Sequence, residues 1–151
     1  MDIRSGSGYP GSALSNFAPH KFTLDGVECA SMEGLLQSLK FDKEHIQIEV
    51  CKMVGREAKY RGKERNNAWR RVQTLWWKGK AMKRKSKEYQ QFLDRAYTAM
   101  FNQSDSFRKA LIATGNAVIT HSIGRSKESE TILTEREFCS RLMMLRNIEN
   151  L

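Results

Sequence analysis

Apolar positions recur at three- and four-residue intervals along most of this chain, and at two-residue intervals only near its start. Tyr89, Phe92, Leu93, Ala96, Tyr97, Met100 and Phe101 form the longest stripe, which predicts an amphipathic helix capped by Ser86 and buried on that face. Ser104 can cap a following helix through Ala113, with Gly115 as its stop. Thr134-x-x-Glu137 is a capping box for a last helix carrying Phe138, Leu142 and Leu145. Two-residue alternation appears in Phe22-Thr23-Leu24 and Val27-Glu28-Cys29. They flank Asp25-Gly26, so a hairpin is predicted there. Ser31 can cap a helix through Phe41, which Gly34 weakens by about 1 kcal/mol relative to Ala. Glu44 to Val54 predicts a second helix ending at Gly55, and the charge-rich residues 56–71 have no clear period. Trp69, Val72, Leu75 and Trp76 have helical spacing and predict a short helix, while Val118-Ile119 is a candidate strand. The Gly- and Ser-rich residues 1–13 are expected to form a mobile arm before a folded domain at 14–151. The pattern as a whole predicts a mostly α (α+β) single compact multihelical domain with a small antiparallel sheet.

Composition narrows the class. With 40% hydrophobic and 28% charged residues among 151, the chain supports one modest core. It lacks the roughly 18 consecutive apolar residues of a membrane helix and the basic-then-apolar start of a signal peptide, so a soluble cytoplasmic protein is expected. Cys29, Cys51 and Cys139 lie far apart and form no cluster with His20, His45 or His121. That scatter argues against a disulfide framework or a zinc site, and favours core thiols. The formal net charge of +9 favours anionic partners: nucleic acid, nucleotides or phosphorylated sugars. The densest basic run, Lys78, Lys80, Lys83, Arg84, Lys85 and Lys87, follows Trp76-Trp77. Lys83, Arg84 and Lys85 could track a nucleic-acid backbone while Trp76 and Trp77 stack bases. A solvated helix end beside core tryptophans fits the same residues. Adjacent helical positions cannot both face a core, so one tryptophan should be exposed or wall a pocket.

Glu33, Gln37 and Lys40 share one face of the helix predicted after Ser31, opposite Leu35, Leu36 and Leu39. Spacing alone is equally compatible with a solvated pair of charges. Their context carries more. Ser15-Asn16-Phe17, Asp25-Gly26, Glu33-x-x-x-Gln37-x-x-Lys40-Phe41, Gly55-Arg56, Phe101-x-Gln103, Phe107-Arg108-x-x-Leu111, Thr114-Gly115 and Leu142-Met143-x-Leu145-Arg146 follow one another in that order. In order and spacing this series resembles the NADAR (YbiA-like) N-glycosidase family over residues 14–146. The chain departs from the pattern at Gly34-Leu35-Leu36, where the family has His-Tyr-Tyr, and after Gly115. There the family's D-x-x-W-G-x-G and G-x-N-x-L-G turns give way to His121-Ser122-Ile123-Gly124 and Lys127-Glu128-Ser129-Glu130. Trp76-Trp77-Lys78-Gly79 is an insertion, and the features together are similar to a divergent phage-type subgroup, which would place the protein in the host cytoplasm.

The resemblance implies a YbiA-like fold and cleavage of N-glycosidic bonds in ADP-ribosylated guanine bases or ribosyl-phosphate metabolites, with no metal or redox cofactor. It implies Glu33 as the carboxylate beside the ribose and Lys40 as nucleophile or phosphate anchor. His121 becomes a proton donor where the family has an acid. Ser15, Asn16, Phe17, Gln37 and Arg56 become substrate-binding residues. The missing D-x-x-W-G leaves a second expectation open: a catalytically impaired domain that binds nucleic acid, ADP-ribose or a partner protein.

Overall fold

The seven apolar positions along residues 89–101 all turn inward on one helix, α6 (Lys87–Gln103), in the computed structural model, which describes residues 1–149. Ser86 caps it by accepting the Tyr89 N–H at 3.1 Å. Each side chain of this size stabilises the fold by about 1.5–3 kcal/mol when removed from water. The other elements are α1 (Gly11–Leu14), a hairpin of β1 (Phe22–Leu24) and β2 (Val27–Cys29), α2 (Met32–Ser38), α3 (Glu44–Cys51), α4 (Gly55–Lys63) and α5 (Asn66–Val72). A second hairpin, β3 (Thr74–Trp77) and β4 (Lys80–Lys83), precedes α6, and α7 (Asp105–Ala113) and α8 (Glu135–Glu149) follow it. The described residues thus form eight helices and two antiparallel two-stranded sheets, the mostly α architecture expected from the pattern. Asn150 and Leu151, the end of the expected domain, lie outside the described residues.

Caps and motif residues act as read from the sequence. Ser104 accepts the Phe107 N–H at the start of α7. Thr134 and Glu137 exchange hydrogen bonds of 2.8 and 3.1 Å at the start of α8. Buried Arg146 donates through Nη1 to Thr114 Oγ1 at 2.9 Å and to the Ala117 carbonyl at 2.7 Å. The Thr-Gly stretch and the closing Leu-Met-x-Leu-Arg segment are therefore two halves of one contact.

Four expectations change. First, α3 ends at Cys51, and Gly55 opens α4 instead of stopping α3; its φ of +54° suits a glycine. Second, the helical spacing of Trp69 to Trp76 is broken: Gln73 turns left-handed after α5, and Trp76 and Trp77 fall on strand β3. The β3–β4 turn puts Lys78 and Gly79 at φ +50° and +83°, the same left-handed pair as Asp25 and Gly26 in the first hairpin. A lysine there costs about 1–2 kcal/mol. Buried Gln47 offsets it, donating to the Trp76 carbonyl at 2.7 Å and accepting the Lys78 N–H at 3.1 Å. Third, Val118-Ile119 forms no strand; a single parallel bridge joins Asp2 to Thr120.

Fourth, residues 1–13 are not a loose arm in this structure. Ile3 is wholly buried in the core, its N–H donates to the Thr120 carbonyl at 2.8 Å, and α1 packs on α7. One buried aliphatic residue and a short helix outweigh the flexibility that the Gly and Ser content suggested. No helix among the described residues is long and apolar enough to cross a membrane.

Candidate active site

A cleft of about 780 Å³ lies between the start of α2, the exposed face of α4, the start of α5 and the segment 121–133. Ser15, Asn16, Phe17, Glu33, Gln37, Lys40, Arg56 and His121 all line it. All eight cleft residues named from the sequence therefore converge, although they come from four different parts of the chain.

Local structure explains the convergence. Ser31 caps α2 by accepting the Gly34 N–H at 3.0 Å, and its own hydroxyl donates to the Met53 carbonyl at 3.0 Å. A Cβ at residue 34 would stand 2.5 Å from that Met53 carbonyl. The close approach of α2 to the α3–α4 link thus excludes any side chain there, which accounts for Gly34 where the family pattern has His. Leu35 and Leu36 are buried in the core. The Glu33 N–H donates to the Asn16 carbonyl at 3.0 Å, pinning the Ser-Asn-Phe loop over the helix start. The Asn16 side-chain oxygen accepts the Tyr97 hydroxyl at 2.8 Å, so the Asn16 amide nitrogen is its remaining donor. Phe17 packs over Gly55, the residue before Arg56.

Glu33 and Lys40 face the cleft without forming an ion pair within 4.0 Å among the described residues. Glu33 accepts the Gln37 amide at 2.9 Å, and Lys40 donates to Asn66 Oδ1 at 2.6 Å. Loss of water around Glu33 raises its carboxyl above the usual glutamate range, against the Gln37 hydrogen bond and the charges of Lys40, Lys59 and His121. Loss of water also pulls the Lys40 ammonium down to about 8, with Arg70 and Lys59 adding to the shift and Glu33 opposing it. An amine with that value is partly unprotonated near neutrality and can act as a nucleophile.

His121 donates from Nδ1 to the Ile3 carbonyl at 2.7 Å and stacks edge-on against Phe138, with ring centres 5.3 Å apart. A cationic rim surrounds these groups. Arg56, Lys59, Tyr60 and Lys63 occupy one face of α4 at spacings of three, four and seven, and Arg70 and Arg125 add to the wall. Of this rim the sequence suggested only Arg56. The spacing of 56, 59, 60 and 63 was the available signal, hidden by a charge density that made the segment look irregular. Asn66 and Trp69 were missed as well. Trp69 is 1% exposed, and its indole N–H has no hydrogen-bond partner among the described residues, as is true of the Gln37 side-chain oxygen. An unpaired buried donor in a cleft wall is suited to a ligand oxygen. Gly62 is fixed by the same packing: a Cβ there would overlap the Gln37 side chain.

The nucleic-acid candidates separate. Trp77 is buried against Phe92, with its indole N–H donated to Asp25 at 2.8 Å, so it is no stacking platform. Arg84 is wholly buried and paired with Glu137, so it cannot meet a phosphate. Strand alternation turns Trp77 inward and leaves Trp76 half-buried, while Lys83 and Lys85 remain exposed. None of these five residues lines the cleft.

Residues 8–147 match the family model described as bacteriophage protein GP30.3. The chain belongs to the bacteriophage GP30.3 family. It is 36% identical over 149 residues to an uncharacterized 17.1 kDa protein from the Gp30-rIII intergenic region of Enterobacteria phage T4, covering 97% of each chain. Its fold is similar to the NMR structure of the E. coli protein YbiA, with a TM-score of 0.63 at 20% identity over 99% of this chain and 84% of that one. This GP30.3 family member thus has a YbiA-like fold and a phage relative, in line with the motif series.

Proposed function

We propose that this protein hydrolyses the N-glycosidic bond of ADP-ribosylated guanine bases or of related ribosyl-phosphate nucleotide metabolites, in the cytoplasm of the host cell. The supporting observation is a water-poor carboxyl and a water-poor amine, Glu33 and Lys40, in one cation-rimmed cleft. Breaking the bond develops positive charge at the anomeric carbon and negative charge on the departing base. Glu33 opposes the first charge or positions the attacking water, and a low-dielectric setting enlarges either effect. His121 protonates the departing nitrogen. Asn16 and Trp69 donate to sugar or base oxygens. Arg56, Lys59 and Lys63 hold the phosphates, and Phe17 and Tyr60 offer flat surfaces to a base. No step in this scheme calls for a metal or redox cofactor.

Lys40 fits two roles in the reaction: phosphate anchor, or nucleophile attacking the opened sugar to form an imine. Lys40→Ala should abolish release of ADP-ribose from ADP-ribosylated guanosine, measured by chromatography of the products. As a nucleophile Lys40 should gain reactivity as pH rises through about 8, and borohydride added during turnover should trap a ribosyl adduct on wild type only. Full release by the Lys40→Ala protein would overturn both roles.

A second activity, binding of nucleic acid without catalysis, is favoured by the exposed lysines 78, 80, 83, 85 and 87 around the second hairpin. If they contact phosphates, replacing Lys80, Lys83 and Lys85 by Ala should reduce the salt slope of single-strand binding by about 2. An unchanged slope assigns them to solubility.

A further inference from the structure

The segment expected to be a mobile arm reaches the cleft and holds its histidine. Ile3 supplies the carbonyl that His121 Nδ1 meets at 2.7 Å. A carbonyl oxygen has no hydrogen to give, so Nδ1 carries the proton, and in the neutral ring Nε2 keeps its lone pair. No side chain or carbonyl among the described residues is bonded to Nε2, and the ring lines the cleft. The other edges of the ring are confined. Phe138 lies against it, and a Cβ on Gly124 would come within 2.6 Å of His121 Cδ2.

The strap that carries Ile3 is itself fixed to the loop that carries His121. Asp2 Oδ1 accepts the Ser122 N–H at 2.7 Å, and Oδ2 accepts the Ser122 hydroxyl at 2.7 Å and Arg4 Nε at 2.9 Å. Arg4 Nη2 returns to Ser122 Oγ at 3.2 Å, and the Ile3 N–H reaches the Thr120 carbonyl at 2.8 Å. Thr120 and Ser122, the residues on either side of His121, are therefore held by Asp2, Ile3 and Arg4. Ser5 of the same segment lines the cleft.

We propose that the Asp2–Ile3 strap is a positioning element of the active site, with Asp2 the side chain that locks His121 as the Nδ1–H form and aims Nε2 at the substrate. The role rests on the reading of His121 as the proton-transfer group. Its geometric half does not depend on that reading. Unprotonated Nε2 takes a proton from the attacking water as the glycosidic C–N bond breaks and the C–O bond forms, and the charged ring then passes that proton to the nitrogen of the departed base.

Nitrogen-15 correlation spectra of the His121 ring, recorded without substrate at a pH where the ring is neutral, decide the matter. Wild type should show a protonated Nδ1 and a bare Nε2. Asp2→Ala should shift the ring toward the Nε2–H form and lower kcat about tenfold with KM little changed. Asp2→Asn, which keeps an acceptor for the Ser122 N–H, should restore both. A wild-type ring protonated at Nε2 would overturn the assignment, as would an Asp2→Ala protein whose ring signals match wild type while its melting transition stays cooperative. Absence of glycosidase activity in every variant would sink the proposed reaction and leave the spectra to decide the strap.

Discussion

Glu33→Gln should lower turnover of an ADP-ribosylated guanosine by a factor on the order of 100 or more, about 2.7 kcal/mol of transition-state stabilisation. Glutamine keeps the size of the side chain and an oxygen to accept the Gln37 amide, now at 2.9 Å. It removes the charge that opposes the developing ribosyl cation. Because that cation exists only in the transition state, the loss should fall on kcat and leave KM nearly unchanged. The fold should survive. A carboxyl raised above its unfolded value weakens folding as pH climbs past that value, near 4.3, because the folded state resists ionisation. Glutamine has no such charge, so the melting temperature of the variant relative to wild type should rise between pH 4 and pH 8. Calorimetry at the two pH values and product chromatography measure the two halves separately. A variant that turns over like wild type would remove Glu33 from the chemistry.

What could be read from the sequence was what local chemistry determines. The α6 stripe, the Ser31, Ser86 and Ser104 caps and the Thr134–Glu137 box depend on residues within one or two helical turns, and all stand in the structure. The convergence of Asn16, Glu33, Lys40, Arg56 and His121 came from the family pattern, because no local period links them. What escaped notice depends on distant partners. The turn of the second hairpin is anchored by Gln47, 29 and 31 residues away in the chain, which binds the Trp76 carbonyl and the Lys78 N–H. Asn66 and Trp69 enter the cleft because α5 packs beside Lys40, and Arg84 leaves the surface because α8 brings Glu137 to it. A run of basic residues looks alike whether its members face water or a buried carboxylate. Only the partner distinguishes Arg84 from Lys83 and Lys85.

That distinction has a measurable size. Arg84 donates to both oxygens of Glu137, at 2.6 and 3.1 Å, and through Nε to the Thr131 carbonyl at 2.8 Å, while its guanidinium lies 5.0 Å from the centre of the Tyr89 ring. Burial alone would raise the Glu137 carboxyl. Hydrogen bonds from Arg84, the Thr134 N–H and Gln90, with the Arg84 charge, outweigh it and hold the group below the usual range. Arg84→Ala leaves that carboxylate buried and without its cation, a change that costs about 3–5 kcal/mol. For a domain of this size the melting temperature should fall by on the order of 10 °C. Lys83→Ala and Lys85→Ala, both at exposed positions, should stay within about 0.5 kcal/mol of wild type. The contribution of the pair is present above the unfolded glutamate value and is lost as pH falls through the lower folded value, so wild type and Arg84→Ala should converge in acid. Removing the charge from both partners, as in Arg84→Met with Glu137→Gln, should recover most of the stability, because no unpaired charge remains. Thermal melts of the five proteins at pH 7 and pH 3 measure this. An Arg84→Ala protein that melts with wild type at pH 7 would show that the Arg84–Glu137 pair adds no stability to the fold.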